Sequence, residues 1–97
     1  MIEHIAILKF KSSTSKEQKD LVINKLKNLV GEIEAIIEIQ IGFNFSERSQ
    51  GFDIGVTAKF EDRNNLEIFL FHPAHQNVVT FAKQVGLIET ITVDFWI

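Results

Sequence analysis

The stretch Phe69-Leu70-Phe71-His72-Pro73-Ala74-His75-Gln76 holds the only proline of the chain and two of its three histidines. Proline has no amide hydrogen and disfavours helical geometry at the residue before it, so a helix arriving from Asn64 is predicted to end by His72. Because proline suits the first position of a helix, a second helix is predicted to begin at Pro73. The bend therefore places His75 in the first turn of this second helix.

The N-terminal part of the chain is predicted to form a strand and then an amphipathic helix. Residues 2–11 alternate between two largely apolar faces; one face carries His4, Ala6, Leu8 and Phe10, and the other carries Ile5, Ile7 and Lys9. The next turn offers Thr14 or Ser15 as a helix cap, each with Glu or Gln three residues later. Apolar residues spaced by three and four then predict an amphipathic helix that ends near Gly31 and packs its apolar face on a sheet. This face consists of Leu21, Val22, Leu26, Leu29, Val30 and Ile33.

The rest of the chain is predicted to add a hairpin, the bent helix and a last strand. Residues 36–45 and 52–60 alternate apolar and polar side chains around a polar loop, which is typical of a hairpin. Asp62 is a plausible cap for the helix that leads into the bend. Gly86 ends the following helix, and residues 87–97 are rich in strand-forming residues.

The predicted order β-α-β-β-α-β, with the second helix split, favours an α+β fold of ferredoxin-like topology with an antiparallel sheet. Residues 1–97 are predicted to form a single domain. With both helices on one face, the other face would expose Ile5 and Ile7. We expect that face to pack on a second copy, giving a dimeric α+β barrel.

Composition excludes several classes of protein. The net charge of −3 with scattered basic residues argues against nucleic acid as a partner. The absence of cysteine rules out disulfides and thiolate metal sites. Residues 1–8 are too short and too polar for a signal peptide, and no stretch approaches a membrane span, so a cytoplasmic location without membrane association is expected.

Several short motifs resemble the stress-responsive A/B barrel family, also called Dabb domains; they are His4-Ile5, Leu8-Lys9-Phe10-Lys11, Ser49-Gln50-Gly51-Phe52-Asp53, Phe60-Glu61-Asp62, His72-Pro73-Ala74-His75 and Val93-Asp94-Phe95. The resemblance runs over essentially the whole chain and implies a dimer of ferredoxin-like subunits. The family mixes heat-stable plant stress proteins, domains of unknown role, and a plant cyclase that closes a linear tetraketide thioester by aldol condensation without a metal or organic cofactor.

The resemblance also implies site residues. The catalytic histidine of the cyclase corresponds to His75, and a first-strand histidine of its pocket corresponds to His4. Its tyrosine three residues before the motif falls on Phe69, so the phenolic hydroxyl is missing here.

Each candidate residue has a structural alternative. His75 is a candidate general base, or its ring fixes the bend by bonding a backbone carbonyl. His4 needs a partner if buried, and His75, water, a ligand or backbone could supply it. His72 is expected to cap the next helix or point to solvent, and Asp53 and Asp94 are interpreted as structural. The predicted pocket wall consists of Ala6, Leu8, Val22, Ile23, Leu26, Val56, Phe69 and Phe81, although residues of this kind at such spacing more often form plain core.

Three functions are compatible with these residues: a barrel that binds a small apolar or aromatic ligand, a cofactor-independent cyclase, isomerase or lyase with His75 as base, and a structural oligomerisation module without a ligand. The three histidines have no metal-site spacing, so no metal is expected. The chain also has no glycine-rich phosphate loop, and no cofactor is expected.

Overall fold

An antiparallel four-stranded sheet carries the helices on one face. The computed structural model describes all 97 residues. The elements are β1 (Ile2–Phe10), α1 (Lys16–Lys27), a 3-10 turn (Asn28–Gly31), β2 (Glu38–Phe43), β3 (Ile54–Phe60), α2 (Arg63–Phe71), α3 (Pro73–Val85) and β4 (Leu87–Trp96). The strand order in the sheet is β2-β3-β1-β4. The predicted ferredoxin-like α+β fold is confirmed.

The core lies between the helices and the two central strands. Alternation in β1 and β3 turns every second side chain toward the helices, and these side chains are buried: Ile2, His4, Ala6, Leu8 and Phe10 from β1, and Ile54, Val56, Ala58 and Phe60 from β3. Val22, Leu26, Leu29 and Ile33 cover them from the helical side. Two members of the predicted helix stripe are exposed, Leu21 by 50% and Val30 by 44%. Each is one position away from the buried line, which rotates it about 100° out of the core.

The start of α1 is capped by Ser15, whose hydroxyl accepts from the Gln18 amide while the Gln18 side chain accepts from the Ser15 amide. The competing candidate, Thr14, has another role. Its hydroxyl donates to the Val85 carbonyl at 2.7 Å and so ties this turn to the end of α3. Gly86, at the same end, has φ +124°, a conformation that favours glycine.

The predicted bend is present between α2 and α3. His72 has extended geometry (φ −66°, ψ 134°), and Pro73 is the first residue of α3. The His72 Nδ1 accepts from the Ala74 amide at 3.0 Å, so this ring caps the second helix, one of its two predicted roles. Asp62 caps α2 in the same way, accepting from the Asn65 amide at 2.9 Å.

The sheet face away from the helices is uncovered. Ile5 and Ile7 of β1 are half-buried there and lie opposite Val93 and Ile91 of β4. Val93, Ile91 and Phe95 are 51%, 44% and 43% exposed. We call these five residues the outer apolar ridge. No helix of the chain is both long and apolar enough to cross a bilayer.

Candidate functional site

A cavity of about 400 Å³ lies between the sheet and helices α1 and α3. Twelve of its seventeen lining residues are hydrophobic. Six residues of the predicted wall line it, namely Ala6, Leu8, Val22, Leu26, Val56 and Phe69, and both candidate histidines, His4 and His75, lie in the same wall. The structure therefore brings together side chains from β1, β3, α1, α2 and α3.

Two residues of the predicted wall lie elsewhere. Ile23 is buried in the core, one helical position beyond Val22, and faces away from the cavity. Phe81 is half-buried under the Lys25 ammonium, 4.8 Å from its ring centre, in the contact between α1 and α3. Helix α3 instead contributes residues that periodicity alone did not single out as pocket residues, Val78, Val79 and Ala82.

The bend creates the hydrogen bond that orients His75. Pro73 has no amide hydrogen, and the Ala74 amide donates to His72, so the Leu70 carbonyl is left without a helical partner. His75 Nδ1 lies 3.2 Å from this carbonyl, which also accepts from the Gln76 side-chain amide at 2.6 Å. A carbonyl can only accept, so Nδ1 carries the proton and the lone pair of a neutral ring is on Nε2.

The surroundings of His75 favour the neutral ring. Burial lowers the pKa of His75 below its usual value, and the positive charges that His4 and His72 can carry lower it further, against the opposing effect of the Leu70 carbonyl. The imidazole is therefore uncharged at neutral pH. An uncharged ring with a free Nε2 can accept a hydrogen bond or a proton from a bound molecule.

His4 has a partner that the sequence did not indicate. Its side chain is almost fully buried, and Nδ1 lies 2.5 Å from Oδ1 of Asp94. The two residues are directly opposite in the β1–β4 register, 90 positions apart in the chain. The carboxylate accepts the hydrogen bond from Nδ1, so Nε2 is the ring nitrogen that remains for another partner.

The two histidines bond different partners, and the ring of Phe69 lies beside both. Its centroid is 4.2 Å from that of His75, at 35°, and 5.8 Å from that of His4, at 66°. Phe60 packs behind Phe69 at 5.1 Å. The site therefore has two imidazoles in an aromatic and aliphatic wall, and no hydroxyl at position 69.

Asp53 lies outside this site. Its Oδ2 accepts from the Phe10 amide at 2.8 Å, and its Oδ1 accepts from the Lys19 ammonium at 3.3 Å. It joins the end of β1 to the residues before β3 and to α1. No group of three His, Asp or Glu residues in the chain has the geometry of a metal site.

A sequence model of the Stress responsive A/B Barrel Domain matches residues 2–97, almost the whole chain. The chain belongs to this family. Among its relatives, olivetolic acid cyclase of Cannabis sativa is 28% identical over 76 residues, which cover 76% of this chain and 75% of the cyclase.

Solved structures show the same fold. Hydroxynitrile lyase from Passiflora edulis has a TM-score of 0.86 at 19% identity, over 99% of this chain and 92% of the lyase. A dimeric ferredoxin-like protein of unknown function from Thermobifida fusca has a TM-score of 0.85 at 21% identity, over 99% of this chain and 90% of that protein. This chain thus shares its fold with an enzyme and with a protein that is dimeric.

Proposed function

We propose that the cavity binds a small, largely apolar or aromatic molecule whose polar group is recognised by Nε2 of His75 or His4. The observation that carries this proposal is the joint presence of an apolar cavity of about 400 Å³ and two imidazoles in its wall. Ligand pockets are typically apolar, with a few placed polar groups and volumes of roughly 300–1,000 Å³. A purely structural module would fill this space with its own side chains.

The binding proposal is tested by narrowing the cavity. Val79 is a half-buried lining residue, whereas its neighbour Thr80 is exposed and outside the cavity. Titration with 2-naphthaldehyde, followed by NMR of the cavity methyl groups, is expected to give saturable shifts in the wild type and in Thr80→Trp. Val79→Trp is expected to lose them, because the indole occupies the space. Saturable shifts of equal size in Val79→Trp and Thr80→Trp, or no saturable shift in the wild type, would contradict the proposal.

A second candidate function is cofactor-independent proton transfer with His75 as general base. Its support is the lowered pKa of His75 together with the Leu70 carbonyl, which keeps Nε2 free to take a proton. The similarity to a cyclase and the fold shared with a lyase agree with this chemistry. In such a step Nε2 would remove a proton from the carbon next to a carbonyl, and the carbonyl oxygen would take the electron pair.

Hydrogen–deuterium exchange of phenylacetone in D₂O tests this step directly. The wild-type protein is expected to accelerate exchange at the carbon between the ring and the carbonyl, and His75→Asn is expected to lose the acceleration. His72→Asn is the control, because His72 caps α3 and does not line the cavity. Exchange by His75→Asn at the wild-type rate would rule out His75 as the base.

The outer apolar ridge supports self-association as a homodimer. Beside the ridge, Gly42 and Gly55 are paired in register and have no neighbouring atom within 4 Å of a would-be Cβ, so the surface is flat there. Oε2 of Glu3 is buried on this face without a hydrogen-bond partner, a condition that a donor from a second copy would relieve. The Thermobifida fusca protein is dimeric. A mass of 11.1 kDa by light scattering at micromolar concentration would contradict the dimer.

A further inference from the structure

The polar residues of the cavity wall form two groups. His4 is deeply buried and His75 is half-buried, whereas Lys83, Thr90 and Thr92 are exposed. Lys83 comes from the last turn of α3, and the two threonines come from the helix-facing side of β4, opposite Leu8 and Ala6 of β1. The cavity therefore has an apolar interior with imidazoles and a polar opening with one ammonium group.

We propose that the ligand of this cavity is an organic anion, with an apolar or aromatic body inside and a carboxylate or similar head group at Lys83, where the hydroxyls of Thr90 and Thr92 can also donate. This inference rests on the binding function proposed above and names the chemical class of its ligand. Lys83 is the specificity-determining residue.

The charge of Lys83 is not used within the chain. Lys9, Lys19 and Lys59 each lie within 4.0 Å of a carboxylate, and Lys83 does not. The lining contains no aspartate or glutamate. A lone cation beside low-dielectric walls raises the local concentration of anions. Because the whole chain has a net charge of −3, any preference for anions must come from this local ammonium and not from the overall field.

A purely structural role for Lys83 would be to complement the carboxyl end of the α3 dipole. Lys27 also lies in the last turn of its helix, α1, but it is exposed and does not line the cavity. The two lysines therefore form a matched pair. A helix-terminal effect is common to both, whereas an effect on a bound anion is specific to Lys83.

The experiment compares 2-naphthoate with 2-naphthalenemethanol, which share one ring system and differ in the charge of the head group. Affinities are measured by calorimetry and by NMR of the methyl groups of Val22 and Ala82, two residues that line the cavity. Lys83→Met is expected to weaken naphthoate binding about three- to fivefold, which is the upper part of the range for an exposed ion pair. It is expected to change the affinity for the alcohol by less than about twofold. Lys83→Arg and Lys27→Met are expected to bind both compounds like the wild type.

Salt gives a second readout, since the affinity for naphthoate is expected to fall with ionic strength in the wild type and not in Lys83→Met. Equal effects of Lys83→Met on both compounds, or none on either, would overturn the anion assignment and leave the binding function standing. If neither compound shifts the cavity resonances of the wild type, the binding function itself fails, and the anion assignment fails with it.

Discussion

Removal of the Asp94 carboxylate should destabilise the fold through His4. Asp94→Ala leaves Nδ1 of a side chain that is only 7% exposed without its partner at 2.5 Å. An unsatisfied buried donor costs about 1–3 kcal/mol. The Asp94 side chain is 37% exposed, so water can reach part of the vacated space, and we expect the lower part of that range, about 1–2 kcal/mol. In a domain of this size each kcal/mol lowers Tm by about 4–8 °C.

The assay is thermal unfolding by circular dichroism at pH 7 and equal protein concentration, with light scattering to show that the assembly state is unchanged. Glu89→Ala is the control, because Glu89 also lies on β4 and pairs with Lys9 at 3.6 Å, but is 52% exposed. Such a pair is worth about 0–1 kcal/mol. In the wild type, nitrogen NMR should also show the Nδ1-protonated form of His4. If Asp94→Ala melts no lower than Glu89→Ala, the pairing with Asp94 does not stabilise the fold through His4.

Three further predictions concern other parts of the molecule. Because burial lowers the folded-state pKa of His75, the native state binds this proton less readily than the unfolded state, and the free energy of unfolding should fall as the pH drops below about 6.5. In urea unfolding, His75→Asn should show a smaller fall than the wild type; an identical pH profile of the two proteins would contradict this prediction. Gly86→Ala should destabilise the fold by about 2–4 kcal/mol, from left-handed backbone strain and overpacking, because its Cβ would clash with Thr14 Oγ1. Gly31→Ala, in open space, should be nearly neutral in the same denaturant titration. Ile7→Lys should convert the proposed dimer to a monomer by light scattering without unfolding it, since Ile7 is half-buried on the outer face; an unchanged mass would place the interface elsewhere.

Much of the fold was predictable because its signals are local. Alternation in β1 and β3, the proline at the bend and the residues Asp62 and Gly86 act through neighbours in the chain, and the structure has the predicted elements. The predicted β2 was too long: the strand runs only over Glu38–Phe43, since the Ile36 amide bonds the Ile33 carbonyl in a turn. Phe43, at the end of β2, and Ile37, just before its start, are both exposed because β2 lies at an edge of the sheet.

The candidate site was predictable in part for the same reason. The placement of His75 in the first turn of α3 follows from Pro73, and its bond to Leu70 follows from the carbonyl that the bend leaves free. The pairing of His4 with Asp94 depends on how β1 and β4 align, and no local pattern encodes that register.

The sequence by itself determined the order of the strands and helices, the bend at the proline, and the placement of His75 in the first turn of α3. The tertiary structure alone decided which side chains share the cavity wall: it paired Asp94 with His4, placed Phe69 beside both rings, and brought Lys83 to the opening. The physical reason is that strand register and the rotation of α3 about its axis are set by packing between residues far apart in the chain, whereas periodicity and capping are set within a few residues.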